Sequence, residues 1–306
     1  MAKQVKIIYN PTAGREQVQR HLPQILSCLK ESGYETVCHA TTGPGSATQA
    51  AKAAAEQQFD LVLAAGGDGT VHEVVNGLAE GDFRPGFGIL PFGTTNDLAA
   101  AMGILRTVDE ICKILSDGFT IPMDIGKLNN HRFFINIAAG GTLTELTYEV
   151  PSKLKTIIGQ PAYYLKGIEK LPHMRPSWMR IQYDEECFEG EAMLFLIANT
   201  SSVGGFNRLA PRASVNDGMF DLIIIKKTNV INFIHLANAA LRGQHLDDPT
   251  VLYAQAKKIH VQADKASGIN LDGEYGGQLP GEFINLYHHL QMIVPREKCF
   301  ADSGAF

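Results

Sequence analysis

The sequence predicts two domains of different class, an α/β domain over residues 1–125 and an antiparallel β-sandwich domain over residues 126–289. A chain of 306 residues is long for one hydrophobic core and suits two. Up to about residue 120, apolar strand patterns alternate with helical periodicity, which is typical of βαβ units and a parallel sheet. Beyond that point strands follow one another with few helices, which favours an antiparallel sheet. We expect residues 290–306 to return to the first domain.

The first domain is predicted to contain strands that each lead into a small polar loop and then a helix. The segments that predict these strands are Val5–Tyr9, Glu35–Ala40, Leu61–Ala65 and Gly86–Leu90. The first helix is expected to stop at Gly33, and Ser46 is expected to cap an Ala-rich second helix. Thr107 and Glu110 have the spacing of a capping box, which would open a helix that stops near Gly118.

The second domain is predicted from successive β-type segments. Two of them, residues 123–128 and 132–137, flank Asn129-Asn130-His131, which is a hairpin signal. One helix, from Asn229 to Gly243, has an Asn cap and a Gly stop. The remaining strands are expected over residues 178–183, 188–200, 220–227, 251–262, 268–271, 283–286 and 290–294.

The glycine-rich stretch Gly66–Thr70 lies at the turn between a predicted buried strand and a helix. Glycines let backbone N–H groups approach a ligand closely, and a helix N-terminus favours negative charge. Asp68 would repel a bound phosphate unless a divalent cation intervened, so the stretch suggests a metal–nucleotide complex. Thr70 and Glu73 have capping-box spacing, which would set the start of the helix. The alternative is a tight turn in which Asp68 is a helix cap.

The loops that follow the predicted strands indicate a nucleotide site without the two commonest phosphate motifs. No Lys follows the last glycine of the stretch, which excludes a Walker A loop. His72 stands where the dinucleotide fingerprint requires Gly or Ala. Because ligands bind at the carboxyl ends of parallel strands, the post-strand loops are expected to face one crevice. These loops are Asn10–Gly14, Thr41–Gly45, Gly66–Thr70 and Gly93–Asp97.

Two acidic turns in the second half are further candidates. Asn216-Asp217-Gly218 is either a plain turn or a site for a hard cation held by a carboxylate and backbone carbonyls. Asp272 and Glu274 stand beside glycines at a strand end, and in an extended chain their spacing would point both side chains the same way. A Glu near a metal-bound phosphate could take a proton from an attacking hydroxyl. The alternative for this second turn is a polar hairpin without chemistry.

Between Pro151 and Arg180, basic residues are interleaved with aromatic and aliphatic ones. This pattern suits either a surface that meets anionic lipid headgroups or a solvated helix face. The formal net charge of -5 argues against general nucleic-acid binding. The five cysteines are scattered, which is poor for a disulfide framework or a zinc site and fits a reducing compartment. With no apparent signal peptide and no apolar run of about 20 residues, we expect a cytoplasmic protein, at most peripheral to a membrane.

Taken together, three motifs resemble the signature stretches of the soluble bacterial diacylglycerol kinases and of their sphingosine and ceramide kinase relatives. The motifs are Gly66–Thr70, Gly93–Asp97 and Asp272–Glu274, and the similarity extends to Ile7–Pro11, Pro151–Lys155, Ala162–Tyr164 and Asp272–Gly277. The resemblance covers almost the whole chain. It implies a Rossmann-like domain related to NAD kinase and phosphofructokinase, a β-sandwich lipid-substrate domain, and an active site in the cleft between them. The implied reaction is ATP + 1,2-diacylglycerol → ADP + phosphatidic acid, with Mg²⁺.

The resemblance also implies roles for individual residues. Glu274 matches the general base on the lipid hydroxyl. Asp68, Asp97 and Asp124 match an aspartate network that supports the active-site Mg²⁺. Ser214, Asp217 and Met219 match a separate structural Mg²⁺ site, and Arg15 and Lys166 match basic positions that meet anionic lipid. The implied ATP contacts are Asn10, Pro11, Thr12, Ala13, Gly14, Thr41, Gly66, Gly67, Asp68, Gly69, Thr70, Val71, His72 and Thr94.

The chain departs from its close relatives at two of these places, and several alternatives stay open. Arg15 and Asn216 stand where the relatives have Lys and Asp, which changes the geometry of one cation and weakens the metal turn. Another lipid, such as a sphingoid base, ceramide or phosphatidylglycerol, is the nearest alternative substrate, and NAD kinase is the next. A nucleotide-sensing or lipid-binding protein without catalysis is a third. Association with the inner face of the membrane and a homodimer are expected by resemblance only.

Overall fold

The computed structural model describes residues 2–104, 107–129, 131–141, 175–202 and 208–297. The chain divides into two compact units, the first made of residues 1–123 and 288–306 and the second of residues 124–287. The chain passes between the units within two of its strands, Thr120–Leu128 (β5) and Gly281–Ile293 (β15). Within the described residues, no helix is long and apolar enough to cross a membrane.

The first unit contains the parallel sheet that the alternating pattern predicts. Strand order is β2-β1-β3-β4, and the end of β15 lies beside β4, where Met292 pairs with Phe87. Every residue of β3 is buried, because helices cover both faces of such a sheet. The strands are Lys3–Tyr9 (β1), Tyr34–Ala40 (β2), Leu61–Gly66 (β3) and Gly86–Pro91 (β4).

Helices follow the strands of the first unit as expected. They are Gln17–Glu31 (α1), Ser46–Glu56 (α2), Asp68–Ala79 (α3), Asp97–Ala101 (α4) and Val108–Asp117 (α5). Gly33 and Gly118 adopt positive φ after α1 and α5, which is the conformation that ends a helix. Helices α2 and α3 pack so closely that a Cβ at Gly77 would overlap the carbonyl oxygen of Thr48.

The predicted caps of α2 and α3 are wrong, and one residue explains both errors. The N-cap of α3 is Gly67, so Thr70 already lies in the first turn and makes no capping box. The carboxylate of Glu73 instead accepts hydrogen bonds from the backbone N–H groups at the start of α2. The N-cap of α2 is therefore Gly45, and Ser46 is the first helical residue rather than the cap.

The predicted capping box of α5 is also wrong in its bonds. Thr107 is the N-cap residue, but its side chain makes no hydrogen bond to the helix backbone. Its hydroxyl donates to the carboxylate of Glu110 instead. The two side chains pair with each other, so the helix starts at the expected place without the reciprocal backbone bonds of a capping box.

The second unit is built from antiparallel strands, as the succession of β-type segments predicts. β9 pairs with three of them, β7, β8 and β10. Apart from β5 and β15, its strands are Arg132–Phe134 (β6), Ile137–Gly141 (β7), Ser177–Tyr183 (β8), Glu186–Ala198 (β9), Phe220–Lys226 (β10), Val251–Ala256 (β11), Lys258–Ala263 (β12), Gly268–Leu271 (β13) and Glu274–Gln278 (β14).

Aromatic side chains fill the core of the second unit. Phe134 stacks on Phe220 at 5.4 Å between ring centroids, and Phe283 meets Phe134 and Phe195 edge-on at 6.3 and 6.0 Å. On the opposite face of β10, the helix Val230–Leu241 (α6) packs through Phe233 and Leu236. The side chain of Asn229 caps this helix as predicted.

Strand boundaries in the second unit differ from the prediction in four places. The segment 132–137 is not one strand, because β6 ends at Phe134 and a separate strand, β7, begins at Ile137. Residues 251–262 form two strands, because β11 pairs with β10 whereas β12 pairs with β8 and β15. Residues 283–286 and 290–294 belong to one strand, β15, rather than to two. β14 was expected to be a turn, since its sequence is rich in glycine, but pairing with β13 makes it a strand.

Candidate active site

The four post-strand loops of the first unit are tied to one another by backbone contacts. Asn10 N–H donates to Ala65 O at 3.0 Å, and Thr41 N–H donates to Tyr9 O at 2.8 Å. A Cβ on Gly14 would lie 2.5 Å from the carbonyl oxygen of Phe92, so the first loop also packs against the end of β4. The carboxyl ends of the strands therefore form one continuous edge, as the sequence predicts.

Asp68 joins the third loop to the fourth. Its Oδ1 accepts the N–H of Asp97 at 2.7 Å, and its Oδ2 accepts the N–H of Asn96 at 2.9 Å. These amides open α4, so Asp68 is a helix cap, although for α4 rather than for the helix that it begins. Asn96, in a left-handed conformation, fixes the same loop by two bonds to the backbone of Gly93.

Close packing within and between these loops requires glycine at two positions. A Cβ on Gly93 would overlap the Cα of Gly67, and a Cβ on Gly66 would lie 2.5 Å from Thr70 Oγ1. Gly69 differs, because a Cβ there would meet no atom within 4 Å. The first turn of α3 therefore has open space at Gly69, where backbone groups can approach a ligand.

The first loop is shaped by its own side chains. Asn10 Oδ1 accepts hydrogen bonds from the backbone N–H and the hydroxyl of Thr12, at 3.0 and 2.9 Å. Gly14, Arg15 and Glu16 then adopt positive φ in succession before α1. Arg15, one of the two predicted membrane contacts, lies in this exposed turn. Lys166, the other, lies outside the described residues.

In the second unit, Asp272 anchors the hairpin that carries Glu274. Its carboxylate accepts three backbone N–H groups, those of residues 135, 136 and 137, at 2.7 to 2.9 Å. Asp272 and Gly273 both have positive φ, so this is a tight turn and not an extended chain. The expectation that Asp272 and Glu274 point the same way is therefore wrong. Asp272 is held by the backbone, while Glu274 is exposed.

Asp124 is tied to the turn that contains the predicted structural metal ligands. Asp124 is fully buried, and its Oδ2 accepts the N–H of Gly218 at 2.6 Å. Within the turn, Asp217 Oδ1 accepts the N–H of Met219 at 2.9 Å, and the hydroxyl of Ser214 donates to Asn216 at 2.8 Å. Asp68 and Asp97 are joined in the first unit, whereas Asp124 belongs to the second.

Asp221 ends the acidic stretch that begins at Asn216, but it is not among the predicted metal ligands. It is 1% exposed, its Oδ1 accepts the hydroxyl proton of Tyr253, and its Oδ2 has no hydrogen-bond partner among the described residues. Burial, with the nearby charge of Asp217, raises the pKa of Asp221 to about 6. Burial also raises the pKa of Asp217. The available signal was an Asp inside the otherwise apolar run of β10.

The donor set at this turn fits a hard cation. Two carboxylates with raised pKa values and an unpartnered buried oxygen lie together, and a cation would offset their repulsion. The described residues contain no group of three or more His, Cys, Asp or Glu side chains placed to hold a metal. Backbone carbonyls would therefore have to complete the set, as the assignment of Ser214 and Met219 assumes.

Comparison with known proteins decides the family. Residues 4–128 match the diacylglycerol kinase catalytic domain, and residues 146–296 match the YegS C-terminal NAD kinase beta sandwich-like domain. A diacylglycerol kinase of Bacillus subtilis (strain 168) is 56% identical over 299 residues, which cover 97% of this chain and 98% of that protein. The chain belongs to the diacylglycerol kinase family. It is therefore an enzyme of the kinase class.

Other members of the diacylglycerol kinase family support the same assignment and the fold class. A Staphylococcus epidermidis diacylglycerol kinase is 48% identical over 97% of this chain and 94% of its own length. The crystal structure of a Bacillus anthracis diacylglycerol kinase aligns with a TM-score of 0.77 at 25% identity, over 97% of this chain and 98% of that one. The predicted combination of an α/β domain and a β-sandwich domain is confirmed.

Proposed function

We propose that this diacylglycerol kinase family member transfers the γ-phosphoryl group of ATP to the hydroxyl of 1,2-diacylglycerol and releases ADP and phosphatidic acid. The observation that carries the proposal is the set of tied loops at the carboxyl ends of the parallel strands, in a chain whose full-length relatives are named diacylglycerol kinases. Such a loop cluster beside the N-terminus of α3 suits the phosphates of a nucleotide.

The nucleotide would be held by the residues of the four loops. Backbone N–H groups of the glycine-rich stretch would bind the phosphates, with the open space at Gly69 leaving room for close approach. Asp68 and Asp97, which are joined in the first unit, would support Mg²⁺, which neutralises charge on the phosphates when bound. Asp124, in the second unit, is assigned to the same supporting network by the family resemblance alone. A second Mg²⁺ would be held by Asp217 with the carbonyl groups of Ser214 and Met219.

Glu274 would act as the general base. Its carboxylate takes the proton of the lipid hydroxyl while the hydroxyl oxygen forms a bond to the γ-phosphorus. The bond from that phosphorus to the bridging oxygen breaks, and ADP leaves with the electron pair. This role is supported by the exposure of Glu274 on its hairpin. The other acid of that hairpin, Asp272, accepts three backbone N–H groups.

The substrate requires contact with a lipid surface, and we propose that Arg15 and Lys166 supply it. Arg15 is exposed in the turn before α1, where a cation can meet anionic headgroups. The protein would then associate peripherally with anionic membranes and feed phospholipid metabolism.

The test is a product assay with labelled ATP, Mg²⁺ and mixed micelles of dioleoylglycerol with anionic lipid. We expect labelled phosphatidic acid. Folded protein that gives none would overturn the proposal. Parallel micelles that contain a sphingoid base, ceramide or phosphatidylglycerol, and a parallel reaction with NAD, identify the alternative substrate if one of them is phosphorylated faster.

A further inference from the structure

Helix α3 carries a second acid, Glu73, that does not belong to any of the predicted ligand sets. Its Oε1 accepts the backbone N–H of Gly45 at 3.0 Å, and its Oε2 accepts the N–H of Ala47 at 3.0 Å. The first N–H groups of a helix have no partner within the helix, and no side chain of α2 itself caps them. Glu73 therefore caps α2 from a neighbouring helix, with both carboxylate oxygens engaged.

This contact is electrostatically favourable and geometrically restrictive. The N-terminus of α2 carries a partial positive charge, which a carboxylate at this position stabilises. The backbone carbonyl of Glu73 also accepts the hydroxyl proton of Thr48 at 3.0 Å. The helices also pack closely at Gly77, where a side chain would clash with the backbone of α2.

The segment that Glu73 fixes is the end of the second loop. Thr41, at the start of that loop, is bonded to the end of β1, and Gly45, at its end, is bonded to Glu73. Helix α3 thus holds a loop on each side. Asp68 in its first turn holds Gly93–Asp97, and Glu73 one turn later holds Thr41–Gly45.

We propose that Glu73 is a positioning residue for nucleotide binding, which sets the place of the Thr41–Gly45 loop relative to the glycine-rich stretch. The inference rests on the proposed function, because it requires that these loops bind a nucleotide. Glu73 touches no nucleotide in this role. Its negative charge is matched by the α2 N-terminus, so it acts through the loop that it holds.

The test compares Glu73→Gln and Glu73→Ala with the matched control Glu80→Gln. Glu80 follows the last residue of α3, at the opposite end from Asp68, and contacts α2 through Lys52 at 3.5 Å, with both side chains half-exposed. Direct ATP binding is measured by calorimetry. We expect the dissociation constant to rise about tenfold for Gln, which keeps one acceptor oxygen, and about a hundredfold for Ala. The control should stay within about twofold of the parent.

Two further readouts separate positioning from general stability. In the nucleotide-free protein, amide hydrogen exchange over residues 41–47 should be faster in both Glu73 variants and unchanged in the Glu80 variant. In the lipid assay, KM for ATP should rise while kcat changes by less than about threefold. If Glu73→Ala does not fold, the isosteric Gln variant carries the test.

Failure of this inference is distinct from failure of the proposed function. A parent protein that binds no ATP removes the nucleotide site itself. A parent that binds ATP, with folded Glu73 variants that bind it equally well, overturns the positioning role alone. A fall in kcat at unchanged ATP affinity would also overturn it.

Discussion

The glycine-rich loop of the first unit and the Glu274 hairpin of the second each contain an aspartate whose carboxylate accepts backbone N–H groups from a distant segment. Asp68 accepts two, from Asn96 and Asp97, and Asp272 accepts three, from residues 135–137. Both sets of bonds are charge-assisted, and each set fixes a loop that the sequence predicts as a candidate site. The anchoring chemistry of the two regions is therefore the same.

The two regions differ in what stands next to the anchor. Asp68 begins a helix, beside open space at Gly69, so the anchoring acid itself lies in the proposed nucleotide site. Asp272 lies in a left-handed turn, and the exposed acid is its neighbour Glu274. In the first unit one residue combines the structural and the proposed chemical role, whereas in the second unit the roles are divided between two. Substitutions can test this division.

The largest effect is expected at Asp68. Asp68→Ala removes the proposed Mg²⁺ partner and both bonds to α4, so turnover in the micelle assay should fall by at least about 10³-fold. Asp68→Asn can keep one acceptor and so separates the two roles. If Asp68→Asn retained most of the activity, Asp68 would be an anchor only, and the difference between the two regions would disappear.

Glu274→Gln should lower kcat by roughly 10²–10⁴-fold, the usual scale for a lost general base, and leave ATP binding nearly intact. Glu274 makes no anchoring contact of its own through its side chain among the described residues, so thermal stability should not change. A variant that lost ATP affinity alone would show that Glu274 is not the base and that the second region has no chemical role of this kind.

Asp272→Ala should lower the stability of the fold rather than remove a catalytic group. Three backbone N–H groups lose a charged acceptor, so the free energy of unfolding in urea should fall by about 3 kcal/mol. The exposed Asp264→Ala is the control in the same unit, with an expected change within about 0.5 kcal/mol. An Asp272→Ala variant with unchanged stability and a low kcat would show that Asp272 itself takes part in the reaction, as is proposed for Asp68 in the first unit.

Asp221 offers the opposite case, a buried acid without a full set of partners. Burial raises the pKa of Asp221 to about 6, so the folded protein binds this proton more tightly than the unfolded chain does. The stability that the protonated group contributes is therefore lost as pH rises through 6. Asp221→Asn should therefore raise the free energy of unfolding by about 2 kcal/mol at pH 8 in a metal chelator. The gain should vanish near pH 4. An increase in the free energy of unfolding that did not depend on pH would contradict the claim that the cost comes from an ionised buried carboxylate.

The smallest effect is expected from the two proposed membrane contacts. Replacing Arg15 and Lys166 with Glu should weaken sedimentation with anionic vesicles at low salt, by about 1 kcal/mol for each cation removed. At high salt the difference should shrink, and neutral vesicles serve as the control. Unchanged sedimentation in every condition would remove the membrane face while leaving both acidic regions untouched.

The elements that could be predicted from the sequence are those set by interactions between residues close together in the chain. The segments predicted as β1 to β4 match the strands to within one or two residues, and Gly33 and Gly118 end their helices because glycine tolerates positive φ. The division of 251–262 into two strands could not be predicted, since only pairing with different neighbours separates them. β14 could not be predicted as a strand for the same reason, because only its pairing with β13 makes it one.

The sequence by itself determined the fold class, the family resemblance and the loops in which acids stand, because periodicity and glycine placement act between near neighbours. The partners of those acids were decided only by the tertiary structure. Asp68 and Asn96 are 28 residues apart, Glu73 and Gly45 likewise 28, and Asp272 and Ile137 are 135 apart. A carboxylate accepts whichever N–H groups the fold brings to it, and local spacing contains no record of those. The capping box of α3 was predicted wrongly for this reason, because Glu73 accepts N–H groups at the start of α2 instead.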